Sequence, residues 1–175
     1  MNTLMKGRNK CLSDVREQIY LNYKKQIFNY FYKATLNYHT AEDLTEDTFF
    51  KIFKSIDTFR EESSLKTWIF KIARNTLCTH FAKNNDNIIH DNEEIMKSIP
   101  NLNNDFDALE KQLLINEVMY KLKEEERTII ILREVNGLSY LEISKVMNFT
   151  EGKVKIGLHR AKKKFKALYL KDLEG

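Results

Sequence analysis

The sequence predicts an all-α protein built from two small helical domains joined by a flexible acidic linker. Along most of the chain, apolar residues recur at intervals of three and four, the spacing of one face of an α-helix. Residues that break helices are few, since the 175 residues include one proline and five glycines. Residues 85–106 lack the period and are rich in asparagine and acid, so they divide a first domain, residues 1–84, from a second, residues 107–175.

The composition limits the functions that the chain can have. The formal net charge is only +4, so the protein is not a uniformly basic nucleic-acid coat. Its two cysteines form no disulfide framework, and no apolar run approaches the length of a membrane span. We therefore expect a soluble, cytoplasmic protein. Cys78 and His80 lack a second closely spaced pair, which favours ordinary packing over metal binding, and no cofactor is expected.

Three helices are predicted in the first domain. The first carries a continuous apolar face, and Ser13 suits its N-cap. The second has a start resembling a capping box at Thr40 and acidic residues in its first turns, where negative charge favours the helix dipole. A short loop interrupts the period, and Ser63 or Ser64 can cap the third helix, which ends near Lys83.

The second domain is predicted to end in two helices joined by a short turn. Gly137 suits a C-terminal stop of the preceding helix, Ser139 and Glu142 match a capping box, and Thr150 can cap the last helix. The last helix has one apolar stripe, consisting of Val154, Leu158, Ala161, Phe165 and Leu168.

Positive charge crowds the rest of this last helix. The residues off the stripe are Lys153, Lys155, His159, Arg160, Lys162, Lys163, Lys164 and Lys166. A short turn between two helices, the second one basic on its exposed side, is typical of a helix-turn-helix that enters the major groove of DNA. The early exposed turns suit base edges and the later lysines suit phosphates. The alternative is a solvated basic face on a helical hairpin.

A second cluster of cations lies in and after the loop that precedes the third helix. Its polar members are Arg60, Lys66, Lys71, Arg74 and Asn75, and Phe59 and Trp68 lie near them. Cations mixed with aromatic rings suit single-stranded nucleic acid, and Ser63 and Ser64 offer small polar walls for a base drawn out of a duplex. The alternative is that the two rings belong to the core, which is the favoured interpretation for Trp68 on the buried stripe.

The motifs "AEDLTEDTF" and "FREESSLKTWIFKIARN", followed by the helix-turn-helix, resemble bacterial RNA polymerase sigma factors, and most closely the small extracytoplasmic-function group. The resemblance runs from about Ile19 to Leu168 and includes the order and separation of the motifs. It implies a sigma region 2 domain at residues 1–84 and a sigma region 4 domain at residues 107–175.

The resemblance implies an alternative sigma factor that directs core RNA polymerase to promoters and helps to melt them. Core polymerase would contact the protein through its β′ coiled coil and its β flap, and an anti-sigma factor is a plausible partner; no small-molecule substrate is implied. The docking helix would use Asp43, Glu46, Asp47, Phe50 and Lys51. The −10 element would meet Arg60, Ser63, Ser64, Lys66, Lys71, Arg74 and Asn75.

The resemblance also assigns the −35 element to the last helix. The residues implied are Lys153, Lys155, Ile156, Gly157, His159, Arg160 and Lys163. Many relatives carry a Ser-Arg pair where this sequence has Ile156 and Gly157, so an arginine that could bind guanine is absent. We therefore expect an unusual −35 preference, richer in A·T, because isoleucine can touch a thymine methyl group. For the acidic linker, a solvated tether is one interpretation, and imitation of a nucleic-acid chain inside polymerase channels is another.

Two other classes of function are weighed against this one. A free-standing helix-turn-helix regulator would bind DNA alone, usually as a dimer on a palindrome, but it leaves the first domain without a purpose. A helical enzyme is the third class. The sequence contains no glycine-rich phosphate loop, no HExxH and no nucleophile elbow, so we expect no catalytic residues.

Overall fold

The structure, a computed structural model, describes the backbone of residues 3–83 and 106–174 and the side chains of residues 14–83 and 110–173. All regular elements in these ranges are helical, which confirms the predicted fold class. The long helices are α1 (Thr3–Thr35), α2 (Tyr38–Ser55), α3 (Leu65–Lys83), α4 (Phe106–Lys121), α5 (Glu124–Ile130), α6 (Tyr140–Met147) and α7 (Glu151–Glu174). A 3₁₀ turn at Ile56–Thr58 follows α2, and a π-helical turn at Ile131–Val135 continues α5.

Helices α1, α2 and α3 form the predicted three-helix first domain, but two of their starts differ from the prediction. Helix α1 begins at Thr3 and passes through position 13, so Ser13 is not its N-cap. Helix α2 begins at Tyr38, and its cap is Asn37, whose side chain accepts a hydrogen bond from the Thr40 amide at 2.7 Å. The third start is confirmed, because the Thr67 amide donates to Ser64 Oγ at 3.2 Å.

The local signals in the second domain are confirmed. Gly137 has a φ of 68°, the left-handed conformation that ends a helix and favours glycine. Ser139 and Glu142 form a reciprocal capping box at the start of α6. The Lys153 amide donates to Thr150 Oγ1 at 3.2 Å, so Thr150 caps α7.

The two domains pack against each other, which the sequence analysis did not predict. Helix α1 contacts α4, α5 and the π-helical turn, and α3 packs along α6. The buried apolar residues of both domains belong to one connected cluster, so no polar layer separates their cores. Burial of apolar surface stabilises the folded state by roughly 25 cal/mol for each square ångström. This stabilisation does not depend on the exact orientation of the two surfaces.

Hydrogen bonds from a buried arginine fix the orientation of one domain relative to the other. Arg127 of α5 donates through one guanidinium nitrogen to the carbonyl of Ala34, near the end of α1. Its other terminal nitrogen donates to the carbonyls of Tyr120 and Leu122, at 3.0 and 3.2 Å. Burial lowers the pKa of this guanidinium, and the neighbouring Tyr120 and Glu124 oppose that effect. The cation is tolerated because carbonyl dipoles of both domains surround it.

The predicted linker falls almost entirely outside the described residues. Helix α3 ends at Lys83 and α4 begins at Phe106, one residue before the predicted start of the second domain. The role of the acidic residues in the linker therefore stays a prediction from the sequence.

We expect Arg127→Ala to lower the free energy of unfolding by about 3 kcal/mol, because three buried carbonyls lose a charged donor. Urea denaturation followed by circular dichroism measures this change. Lys162→Ala is the matched control, since its exposed ion pair with Glu134 contributes at most about 1 kcal/mol. Equal stability of the two variants would contradict the role given to Arg127.

Candidate nucleic-acid interface

Helix α7 separates a packing face from a charged face. Val154, Leu158 and Ala161 are buried, which confirms the centre of the predicted stripe. Six of the residues predicted to meet the −35 element are exposed: Lys153, Lys155, Ile156, His159, Arg160 and Lys163. The stripe thus holds the helix against its own domain while the opposite face stays open to solvent.

The cations of α7 differ in whether the protein already neutralises them. Lys162 pairs with Glu134 at 2.7 Å, and Lys164 pairs with Glu126 at 2.8 Å. The ammonium of Lys153 lies 3.3 Å from the centre of the Phe149 ring. Four other cationic side chains of α7 form no hydrogen bond or ion pair with any described residue: Lys155, His159, Arg160 and Lys163. These four leave a basic strip that is free to meet phosphates and base edges.

Gly157 faces the interior of its domain. A Cβ atom at this position would lie 3.1 Å from Cδ1 of Ile129 on α5. A side chain at position 157 would therefore crowd Ile129, which would have to shift by a few tenths of an ångström. Ile156, its neighbour, is 55% exposed and remains available to touch a ligand.

The residues predicted to meet the −10 element lie in the loop before α3 and on the first half of α3, and they divide into three groups. Arg60, Lys71 and Asn75 are exposed on the loop and on α3. Ser64 and Lys66 face the second domain instead: the Lys66 ammonium donates to the Asn136 carbonyl, and Ser64 Oγ donates to Glu142 Oε1 at 3.2 Å.

Ser63 and Arg74 are less accessible than the exposed group. The Ser63 hydroxyl donates weakly to the Ser64 carbonyl at 3.4 Å. Arg74 is half-buried, and its enclosed Nε atom has no hydrogen-bond partner within the described ranges. Burial raises the pKa of the nearby Cys78 thiol, and the positive charge of Arg74 opposes that rise.

The two aromatic rings beside this loop, Phe59 and Trp68, lie at the edge of the hydrophobic core. Phe59 and Trp68 have ring centres 5.2 Å apart, and Trp68 packs against the buried cluster. This contact supports the interpretation of Trp68 as a packing residue. The loop reverses at Glu61, whose φ of 56° is unusual for a residue with a side chain.

Helix α2 presents an acidic face with one exposed aromatic ring. Asp43, Glu46, Asp47 and Phe50 follow one another at helical spacing and are exposed, with Phe50 at 69%. The fifth predicted docking residue, Lys51, is tied to α3 because its ammonium donates to Thr76 Oγ1 at 3.0 Å. A groove of about 410 Å³ runs beside this face, between α1 and α2, and Glu46 and Tyr20 line it.

An apolar cavity of about 380 Å³ lies where the domains meet. Its walls come from α1, α4, the end of α5, the π-helical turn and α7, and include Met119, Ile130 and Phe165. Lys33 stands at its edge, and burial lowers the pKa of that ammonium.

Sequence analysis missed the residues of the second domain that contact the first. Within the described ranges, those that form hydrogen bonds to the first domain are Arg127, Asn136, Glu142 and Lys145. For Arg127 the sequence does hold one sign of burial. In "ERTIIIL" only Thr128 separates this cation from three consecutive isoleucines. The others lie in ordinary caps and turns, where nothing local indicates a distant partner.

Two kinds of site find no support in the described parts of the chain. Residues 3–83 and 106–174 contain no group of three or more His, Cys, Asp or Glu side chains arranged to hold a metal ion. Over the same ranges, none of the helices has both the length and the apolar character that a membrane crossing needs.

Comparison with known families and proteins agrees with this division of the chain. Residues 19–86 match the model of sigma-70 region 2, and residues 112–165 match the model of sigma-70 region 4. The RNA polymerase sigma factor YlaC of Bacillus subtilis is 31% identical over 168 residues, which cover 92% of this chain and 95% of the relative. The ECF RNA polymerase sigma factor SigM of the same organism is 27% identical, with 87% and 94% covered.

Solved structures share the fold. The sigma factor RpoE of Bartonella quintana, crystallised with the anti-sigma factor NepR, matches with a TM-score of 0.70 at 23% identity, covering 87% of this chain and 94% of RpoE. CnrH, in complex with the cytosolic domain of CnrY, matches with a TM-score of 0.70 at 18% identity, covering 91% and 90%. The chain belongs to the extracytoplasmic-function group of bacterial RNA polymerase sigma factors, a family whose members bind core RNA polymerase and promoter DNA.

Proposed function

We propose that this sigma factor reads a −35 element with α7, reads a −10 element with the loop before α3 and with α3 itself, and assists promoter melting. The observation that carries the proposal is the basic strip of α7, made of Lys155, His159, Arg160 and Lys163. These side chains have no hydrogen bond or ion pair with the described part of the chain, and a buried stripe holds their helix in place. A helix-turn-helix in this orientation can insert its early turns into the major groove. Sigma factors are transcription regulators, and we propose no catalysis by this chain.

The acidic face of α2 is the proposed site for core polymerase. Asp43, Glu46 and Asp47 precede the exposed ring of Phe50 at helical spacing, so the four side chains share one face of α2. Charged groups at the rim of such a surface speed association, and a central aromatic ring supplies most of the binding free energy. The β′ coiled coil is the proposed partner here, and the β flap is the proposed partner of the second domain.

Anti-sigma factors are a further proposed class of partner. RpoE and CnrH, which share this fold, were each solved with a bound partner, NepR and CnrY. The apolar cavity between the domains, with Met119 and Phe165 in its walls, is a surface that a regulator could cover.

In run-off transcription with purified core polymerase over genomic fragments, we expect the chain to direct discrete start sites. Lys155→Ala and Arg160→Ala should each weaken use of −35-dependent promoters by about 1–3 kcal/mol if each side chain reads a base. Lys162→Ala is the matched control, since it removes the same charge from α7 but its ammonium is paired with Glu134. Yields equal to wild type from both test variants would refute the assignment.

We expect the double variant Asp43→Lys, Glu46→Lys to reduce retention of core polymerase by about tenfold, because it reverses the charge of the acidic face. A pull-down at low and physiological salt measures this, and the loss should shrink as salt rises. Glu17→Lys, on the exposed side of α1, controls for charge reversal elsewhere. Retention that matches the control would remove α2 as the docking helix.

Arg60→Ala together with Lys71→Ala should reduce promoter opening by several-fold, because two exposed cations that can hold the separated strand are lost. Permanganate reactivity of thymines around the start site measures the open bubble. Lys83→Ala, at the far end of α3, is the control. A bubble of normal intensity in the double variant would exclude these residues from melting.

A further inference from the structure

The apolar cavity between the domains has the size and the walls of a small-molecule site. Its volume of about 380 Å³ lies in the range of pockets that hold small ligands. Apolar side chains form most of the wall, among them Ile115, Met119, Ile130 and Phe165. None of the residues that line the cavity is proposed above to meet a promoter element or the β′ coiled coil. The function of the cavity is therefore open.

One charged group in the wall of the cavity lacks an anionic partner. Lys33, in the last turn of α1, is half-buried, and its ammonium forms no hydrogen bond or ion pair with any described residue. Burial lowers the pKa of this ammonium, and no acid in the described part of the chain opposes that effect. A partly desolvated cation without an anion is unfavourable. An anion that enters the cavity would relieve this cost.

The other two charges that line the cavity neutralise each other. Glu134 and Lys162 form an ion pair at 2.7 Å, so neither strongly repels or attracts an incoming charge. The lining therefore carries one net positive charge, that of Lys33. A monoanion balances this charge, whereas a dianion such as a phosphate monoester would bring an excess negative charge close to Glu134.

A buried amide in the wall adds a second hydrogen-bond donor. Asn116 of α4 is only 5% exposed, and its amide oxygen accepts a hydrogen bond from Nε2 of Gln112 at 3.0 Å. The other polar atom of this side chain is an amide nitrogen, which only donates. The ammonium of Lys33 and the amide of Asn116 thus both select an acceptor, and a carboxylate supplies two acceptor oxygens.

We propose that this cavity binds an amphipathic monocarboxylate of the fatty-acid class, with its carboxylate at Lys33 and Asn116 and its aliphatic chain along Met119, Ile130 and Phe165. Burial of the chain supplies the affinity, and the ammonium supplies the selectivity for an acid. The inference goes beyond the proposed function, because it concerns a small molecule and neither promoter DNA nor polymerase. An anti-sigma factor that covers the cavity would compete with such an acid for the same wall.

Isothermal titration calorimetry on the full chain tests the choice of head group. The probes are octanoate, octanol and octylammonium, which share one aliphatic chain and differ in charge, each used below the concentration at which it aggregates. We expect octanoate to bind about tenfold more tightly than octanol, because a charged hydrogen bond adds to the same apolar contact. Octylammonium should bind most weakly, since it brings a second cation to Lys33. Equal affinity for octanoate and octanol, or no binding of octanoate, would overturn the proposal.

The variant Lys33→Met removes the charge and keeps an unbranched apolar side chain. It should weaken binding of octanoate by about tenfold and leave the affinity for octanol within about twofold of wild type. Lys25→Met is the matched control, because Lys25 is an exposed cation of the same helix that does not line this cavity. The control should keep the preference for octanoate. If Lys33→Met binds octanoate as tightly as wild type, the assignment of the carboxylate is wrong.

A second variant has an expected gain of affinity, which unfolding cannot produce. Glu134→Gln releases Lys162 from its ion pair, so the cavity gains a second unpaired cation. Octanoate should then bind about threefold more tightly, while octanol should bind as it does to wild type. Unchanged or weaker binding of octanoate would refute the role given to the charges that line the cavity.

A third variant locates the binding site. Val135 lines the cavity and is 45% exposed, so Val135→Trp places a large ring at the entrance without filling the core. It should weaken binding of octanoate and octanol alike. Wild-type affinity for octanoate in this variant would place the binding elsewhere on the chain and reject the cavity. All these titrations use the chain without polymerase or DNA, so their outcome is independent of the run-off experiment.

Discussion

The buried guanidinium of Arg127 is the interaction on which the arrangement of the two domains depends. It binds the Ala34 carbonyl near the end of α1 and two carbonyls at the junction of α4 and α5, so one side chain connects three helices. The apolar surface around it supplies most of the favourable free energy but would tolerate sliding, because hydrophobic burial is non-directional. The hydrogen bonds of a planar cation are directional, and a misplaced domain would leave the charge unpaired and buried.

Helix α7 meets two demands that conflict in most helices, since it must pack firmly and also present charge. Val154, Leu158 and Ala161 satisfy the first demand on one side. On the other side, acidic residues of the second domain neutralise Lys162 and Lys164, which leaves the free positive charge on a narrower strip. A narrow strip directs binding better than a uniformly basic helix, because phosphate attraction alone carries no sequence information. The modest net charge of +4 agrees with positive charge that is concentrated on a small part of the surface.

The contact between the domains combines polar hydrogen bonds with a shared apolar core. The loop that would hold a −10 base and the helix-turn-helix that would read a −35 element are held together by Lys66 and Glu142. The hydrogen bond of Lys66 to Asn136 is partly buried and that of Ser64 to Glu142 is more exposed, and both lie beside the buried apolar contact.

The sequence by itself determined the helical fold, the capping box at Ser139, the stop at Gly137 and the apolar stripe of α7, because each depends on neighbours within one or two turns. It also predicted which residue types of α7 face solvent. The same local rules misjudged the starts of α1 and α2, where helix formation continued upstream of Ser13 and Asn37 capped the chain before Thr40. Only the tertiary structure decided that Lys66 meets Asn136, 70 positions away, and that Glu142 meets the loop. No periodic pattern encodes such pairs, because they exist only once two domains have buried a common surface.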